Sequence, residues 1–299
     1  MGILPSAPPS SKKTLEFAAV FVSPILRESL GGAMPLKLLM CPPDYFGVEY
    51  IINPWMEGQV GKVDRALAIK QWRSFYQPVS QKANVELIYP NRHTPDMVFT
   101  ANCGLVWNQS FIPSRFKNPE RQSEEALFTQ WFRERGFKIV SLPEGIAFEG
   151  AGDALVPPDK ETLWMGHGFR TDAEAHLFLS EMLKTRIISL RLIHPHFYHL
   201  DTCFCPLHNG TVLYYPDAFD EISNHMIRHN ATKAIPVSKE DAFKMACNTV
   251  LLEDTLFMNS ASPILKKSLE AEGYTVCIQE VSEFIKAGGA NRCLTFSWH

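Results

Sequence analysis

At about 150 residues per domain, the 299 residues make two domains or one large α/β or repeat domain, and either can bury a sizeable core. A composition of 45% hydrophobic, 20% charged and 11% aromatic residues excludes a disordered, collagenous or coiled-coil chain. The 29 Lys and Arg against 32 Asp and Glu leave a net charge of −3, without the basic excess of a nucleic-acid binder, so no nucleic-acid partner is expected.

Residues 1–14, rich in Pro and Ser, read as a flexible tail. Met1, Gly2 and Ser6 fit the loose myristoylation pattern, a short match that chance supplies readily. The apolar stretch 15–26 follows Lys12 and Lys13 as in a signal peptide, yet Glu16 and Pro24 interrupt it and no clear cleavage site precedes Lys37. It is also too short to span a bilayer. Neither secretion nor stable membrane insertion is expected. Residues 1–34 are assigned to a partly disordered N-terminal extension, and residues 35–299, free of long linkers, to a single integrated domain. Seven cysteines, an odd number in a chain too long to need disulfide staples, imply reduced thiols and a cytoplasmic setting.

Beyond residue 35, short apolar strands accompany a polar residue at nearly fixed intervals. These residues are Asn53 in INPWM, Asn102 in FTANCGL, Asp153 in GAGDALV, Asp201 in HLDTCF, Asn248 in ACNTVLL and Cys293 in NRCLTF, with separations of 49, 51, 48, 47 and 45. Between them, helical patterns (124–135, 172–184, 238–245) alternate with strand patterns (138–142, 211–215). Five copies of one β-rich unit with a helix bury their apolar faces by closing into an α/β ring, strands toward the axis and helices outside. Six polar strand starts would then face one central site. The alternative is that Asn and Asp merely open strands as turn residues.

Three side chains in this pattern suit nucleophilic catalysis. Cys293 follows Gly288 and Gly289, which permit close backbone approach, and Arg292, whose charge favours a thiolate. His199 stands two residues before Asp201, and in an extended strand the two share a face. Glu149, followed by two nearby glycines, can orient an imidazole. A metal is the competing chemistry, because His194, His196 and His199 precede Cys203 and Cys205. Pro195, Phe197 and Tyr198 make that segment look like a loop entering a strand, and no second ligand cluster stands out. No metal or cofactor is expected.

INPWM, FTANCGL, FEGAGDAL, HLDTCF and GG-x-x-RCL occur in the order found in the guanidino-group-modifying superfamily, which the chain resembles over residues 36–299. That superfamily has the pentein fold of five ββαβ-type units. It includes arginine deiminases, dimethylarginine dimethylaminohydrolases, arginine dihydrolases and amidinotransferases, and the pairing of INPWM with FTAN and HLDT looks closest to the dihydrolases. The resemblance implies Cys293 as nucleophile, His199 as general acid and base, and Glu149 as the carboxylate beside it. It also implies Asp201 on the substrate guanidinium, Asn53 and Asn102 facing the reacting end, Arg121 on the substrate α-carboxylate, and Asp153 in a structural role. Two departures blur substrate choice: GGANRC stands where many relatives have GGGVRC, and Cys203 occupies a substrate-side position that is often small.

A guanidinium is a poor electrophile, so carboxylates must fix it while a thiolate attacks its central carbon, leaving a thiouronium that water hydrolyses to a ureido product. Deiminases commonly carry Asp at the Asn102 position. A neutral Asn tolerates a ureido group for a second round, which would take arginine to ornithine, ammonia and carbon dioxide. The alternatives are a single-step deiminase or dimethylarginine hydrolase, an amidinotransferase, and a silent pentein that binds arginine-like ligands. Arginine or a guanidino analogue is the expected small-molecule partner, and a homo-oligomer is compatible with every reading.

Overall fold

The first unit opens with β1 (Lys37–Met40), helix α1 (Arg65–Lys82) and β2 (Asn84–Leu87). The second holds β3 (Gly104–Trp107), β4 (Ser110–Pro113), α2 (Pro119–Glu134) and β5 (Lys138–Ile139). The third holds β6 (Ala154–Leu155), β7 (Thr162–His167), α3 (Ala173–Leu183) and β8 (Arg186–Arg191). The fourth holds β9 (Phe204–Pro206), β10 (Thr211–Tyr214), α4 (Glu221–Asn230) and β11 (Lys233–Pro236), followed by the short α5 (Lys239–Phe243). The fifth holds β12 (Val250–Leu252), β13 (Thr255–Met258), α6 (Pro263–Ala271) and β14 (Thr275–Ile278), then α7 (Ser282–Ile285) and β15 (Phe296–Trp298). This computed structural model describes residues 36–158 and 162–298. The N-terminal extension and its myristoylation pattern lie outside the described residues.

Each sheet has three strands, an antiparallel pair joined to a parallel one. The hairpin needs only a tight turn, whereas the parallel step needs a helical crossover, which fixes the order β-β-α-β. Asn108 and Asn209 adopt positive φ in two of these hairpin turns, a conformation that asparagine tolerates. Helix starts follow from capping: the Asp64, Asp220 and Ser262 side chains accept backbone N–H groups of α1, α4 and α6, and Pro119 and Pro263 sit in first turns. The range 172–184 matches α3 with its two caps. The range 238–245 matches only α5, and the crossover helix of that unit is α4, whose buried face is carried by Ser223 and Ile227 while Ile222 is exposed.

The first sheet takes strands from both ends of the described chain, in the order β15-β1-β2, with Lys37 opposite Trp298. Ring closure is therefore noncovalent. Phe132 of α2 secures it by stacking on Phe111 at 3.9 Å and meeting Phe296 and Trp298 edge-on at 5.6 and 5.9 Å.

Strand starts meet at the centre. Ala101 N–H donates to the Cys293 carbonyl at 3.1 Å and Leu200 N–H to Asp153 Oδ1 at 2.9 Å. Asn248 Nδ2 donates to the Asp201 carbonyl at 3.0 Å, and Arg292 N–H to the Asn248 carbonyl at 3.2 Å. A Cβ on Gly152 would lie 2.4 Å from Asn102 Nδ2, so only glycine lets those two starts touch. Asn102, Asp153, Asp201, Asn248 and Cys293 thus stand one to three residues before β3, β6, β9, β12 and β15. Asn53 is the correction to the spacing. It follows β1 and caps a 3-10 turn, accepting the Trp55 N–H, and no strand begins there.

Truncating Phe132→Ala leaves a cavity against the closing strand and should lower stability by about 4 kcal/mol in urea denaturation. A loss under about 1 kcal/mol would show that this aromatic cluster does not secure the closure.

Candidate active site

Cys293 lies on the turn leading to β15, 3% exposed, with Sγ 3.3 Å from Asp201 Oδ2. Burial raises the Asp201 carboxyl to about 7, partly offset by the Cys293 hydrogen bond. Burial also pushes the thiol up, and the neighbouring Asp201 adds to it. One proton shared between sulfur and oxygen is the arrangement both shifts describe. Asp201 Oδ1 is buried without a protein partner among the described residues.

On a second side, His199 Nε2 meets Glu149 Oε2 at 2.7 Å. Because a carboxylate only accepts, Nε2 carries the proton and Nδ1 keeps the lone pair in the neutral ring. Burial alone would raise Glu149, but Arg170, whose Nη1 lies 3.1 Å from Oε2, and His199 hold it well below the usual carboxylate range. Lys117 N–H donates to the other oxygen at 3.2 Å. The Thr171 hydroxyl accepts the Glu149 N–H and donates to Asp153 Oδ2. Asp153, raised to about 6 by burial, therefore braces the segments carrying Glu149 and His199.

The third side holds Asn102. Arg121 Nη1 donates to its Oδ1 at 2.8 Å, which leaves Nδ2 buried and unpartnered beside Gly152. Arg121 is itself buried and forks onto Glu124 at 2.9 and 2.8 Å, with a further bond to the Asp96 carbonyl. Four hydrogen bonds leave one of its five N–H groups free. Tyr50 donates to Asp96 Oδ2, and Asp96 Oδ1 has no partner among the described residues. Arg170 also donates to the Ile52 carbonyl at 2.8 Å and lies over the Tyr198 ring.

The structure thus brings Cys293 and Asp201 into contact, pairs His199 with Glu149, and joins Asn102 to Arg121. Asn53 donates to the Ala287 carbonyl at 3.0 Å and so ties its loop to the glycines before Cys293. Tyr198 donates to the Gly288 carbonyl, and a side chain at Gly288, whose φ is +87°, would strike that hydroxyl. The Cys203 thiol faces the His199 and Leu200 carbonyls in an apolar cluster with Phe204. The reason is the 3-10 turn Leu200–Thr202, which rotates successive side chains by about 120° and also voids the shared-face argument for His199 and Asp201. His194 and His196 pack with Phe243 rather than converging on His199. Among the described residues, no group of three His, Cys, Asp or Glu side chains is placed to hold a metal ion.

Sequence reasoning missed Arg170, Glu124 and the side-chain role of Asn248. The available signal was charge accounting, since a buried Glu149 demands a cation and a buried Arg121 an anion. Arg170→Met leaves Glu149 with His199 as its only titratable counter-charge in contact. It should reduce stability at neutral pH by about 3 kcal/mol in urea, and a loss below about 0.5 kcal/mol would contradict the pairing.

A family model described as N,N dimethylarginine dimethylhydrolase, eukaryotic, matches residues 48–299. The chain is 48% identical over 262 residues to the bifunctional arginine dihydrolase/ornithine cyclodeaminase AgrE of Nostoc sp., covering 87% of this chain and 37% of that protein. It therefore spans well under half of that relative's length. It is 34% identical over 264 residues to the N(G),N(G)-dimethylarginine dimethylaminohydrolase of Mycobacterium tuberculosis, covering 88% of this chain and 86% of that one. Among solved structures, the product-bound N-terminal domain of ArgZ, an arginine dihydrolase of cyanobacteria, superposes with a TM-score of 0.87 at 46% identity, covering 88% of this chain and 97% of that one. The five-unit ring is the pentein fold, and the chain belongs to the N,N-dimethylarginine dimethylhydrolase family.

Proposed function

We propose that this chain is a cysteine-dependent hydrolase of the guanidino group of arginine, acting twice to give ornithine, two ammonia molecules and carbon dioxide. The likeness to AgrE and ArgZ supports this, and one observation carries it: two buried polar atoms without protein partners, Asp201 Oδ1 and Asn102 Nδ2, frame the site. One accepts and the other donates.

Asp201 takes the guanidinium, which offers only donors. The cation displaces the shared proton, which passes to the Nδ1 lone pair of His199, and leaves the Cys293 thiolate. Sulfur adds to the guanidinium carbon, and protonated His199 delivers its proton to the departing nitrogen as the C–N bond breaks. Ammonia leaves and a thiouronium remains. Neutral His199 then takes a proton from water as the water oxygen adds to that carbon. The C–S bond breaks, the hydroxyl proton returns to the departing sulfur and its Asp201 partner, and citrulline forms. Glu149 keeps the ring oriented and stabilises its charged form throughout.

Citrulline presents a carbonyl oxygen, which accepts. Arg121 fixes the amide of Asn102 so that a donor faces the site, where an aspartate would offer acceptors alone. Retention of the ureido product for a second attack follows from that difference. Arg121 keeps one N–H for a substrate carboxylate, while Asn53 acts through the loop it anchors.

Products counted by mass spectrometry and ammonia assay should show two ammonia molecules per arginine with little citrulline. Asn102→Asp should release citrulline, with second-round turnover down about a hundredfold, the loss of roughly one strong hydrogen bond. One ammonia per arginine from the unmodified enzyme would indicate a deiminase instead, and dimethylamine from methylated arginine at a higher kcat/KM would indicate the family's other activity.

A further inference from the structure

Asn248 lies two residues before β12 and its side chain is fully buried. Its amide makes four hydrogen bonds. Oδ1 accepts the backbone N–H groups of Ala290 and Cys293, both at 3.1 Å. Nδ2 donates to the Asp201 carbonyl at 3.0 Å and to Cys293 Sγ at 3.0 Å. The orientation of the amide is chemically determined, because two backbone donors can be met only by its oxygen. An N–H is therefore fixed on the sulfur by the same side chain that fixes the backbone of the cysteine.

We propose that Asn248 is a further catalytic residue of this site, its amide N–H holding the Cys293 sulfur as thiolate once the cationic substrate has engaged Asp201. The inference rests on the cysteine-nucleophile reading above.

The donor discriminates between states of the sulfur. A neutral thiol is a weak acceptor and gains little from it, while a thiolate gains a charge-assisted hydrogen bond. In the resting protein, Asp201 Oδ2 serves as the acceptor for the thiol proton. When the carboxylate turns to a guanidinium, the sulfur loses that acceptor, and Asn248 Nδ2 is the neutral donor that remains against it. The same contact is available when sulfur leaves the carbon as thiolate at the end of each round. Because both donors and both lone pairs are occupied, the amide needs no rearrangement during the reaction.

Asn248→Asp keeps an oxygen for the two backbone N–H groups and removes both Nδ2 donors, the one on sulfur and the one on the Asp201 carbonyl. Inactivation by 2-chloroacetamidine, a small cationic electrophile, should move its pH midpoint up by at least about one unit, with kcat for arginine down about a hundredfold. Asn248→Ser, smaller and uncharged, should move the midpoint the same way and decides the matter if the Asp variant does not fold. An unshifted midpoint with kcat within about threefold of the unmodified enzyme would overturn the proposal. So would loss of the folded state in both variants, which would make Asn248 a structural cap alone. Cys293→Ser separates the two levels. If it retains turnover, the cysteine reading itself fails, whereas an inactive Cys293→Ser beside an unaffected Asn248 series removes only this inference.

Discussion

A buried thiol and a buried carboxylate lie 3.3 Å apart, and most of what surrounds them follows from that contact. Neither ionises readily in a site from which water is excluded, and burial raises both. Together they hold one proton at little cost, because the thiol satisfies the carboxylate and the carboxylate satisfies the thiol. The nucleophile is quiet at rest in this arrangement. A cation that takes Asp201 removes the reason for the proton to stay, so binding and activation become one event in the proposed reaction.

The pentein ring delivers this contact. Asp201 and Cys293 are 92 residues apart, and each reaches the centre because it stands just before the first strand of a unit. Short turns at these starts leave side chains and backbone N–H groups pointing inward, where neighbouring units satisfy them. Charge is balanced locally rather than across the whole centre. Arg170 answers Glu149, and Arg121 answers Glu124. Such pairs stabilise little by themselves, since desolvation offsets their attraction, but removing one partner strands the other. Their value lies in holding His199 and Asn102 in single orientations.

Spacing exposed the repeat because every unit has nearly the same length, and the strand-start residues Asn102, Asp153, Asp201, Asn248 and Cys293 were legible for that reason. Asn53 fitted the interval without fitting the structure. A proline-led, Asn-capped turn looks like a strand entry in sequence, and the unit it was assigned to is completed by β15 from the far end of the chain. The His199 and Asp201 argument reached two relevant residues by the wrong geometry, since a 3-10 turn replaces the strand it assumed. Arg170 was invisible because nothing near it marks it; its partner lies 21 residues earlier and declares the need only once burial is known. Asn248 was seen as a position but not as a ligand of sulfur, because its four hydrogen bonds reach two distant segments of chain, at Asp201 and at Ala290 to Cys293.

The central claim is that a cation at Asp201 releases the Cys293 thiolate. The direct measurement compares second-order inactivation of Cys293 by a cationic amidine electrophile and by neutral iodoacetamide at neutral pH, in the unmodified enzyme and in Asp201→Asn. The account predicts a preference of at least about a hundredfold for the cationic reagent, beyond the intrinsic reactivity ratio measured with a free thiol, and its collapse in Asp201→Asn. Equal corrected rates for the two reagents, or a preference that survives Asp201→Asn, would contradict it.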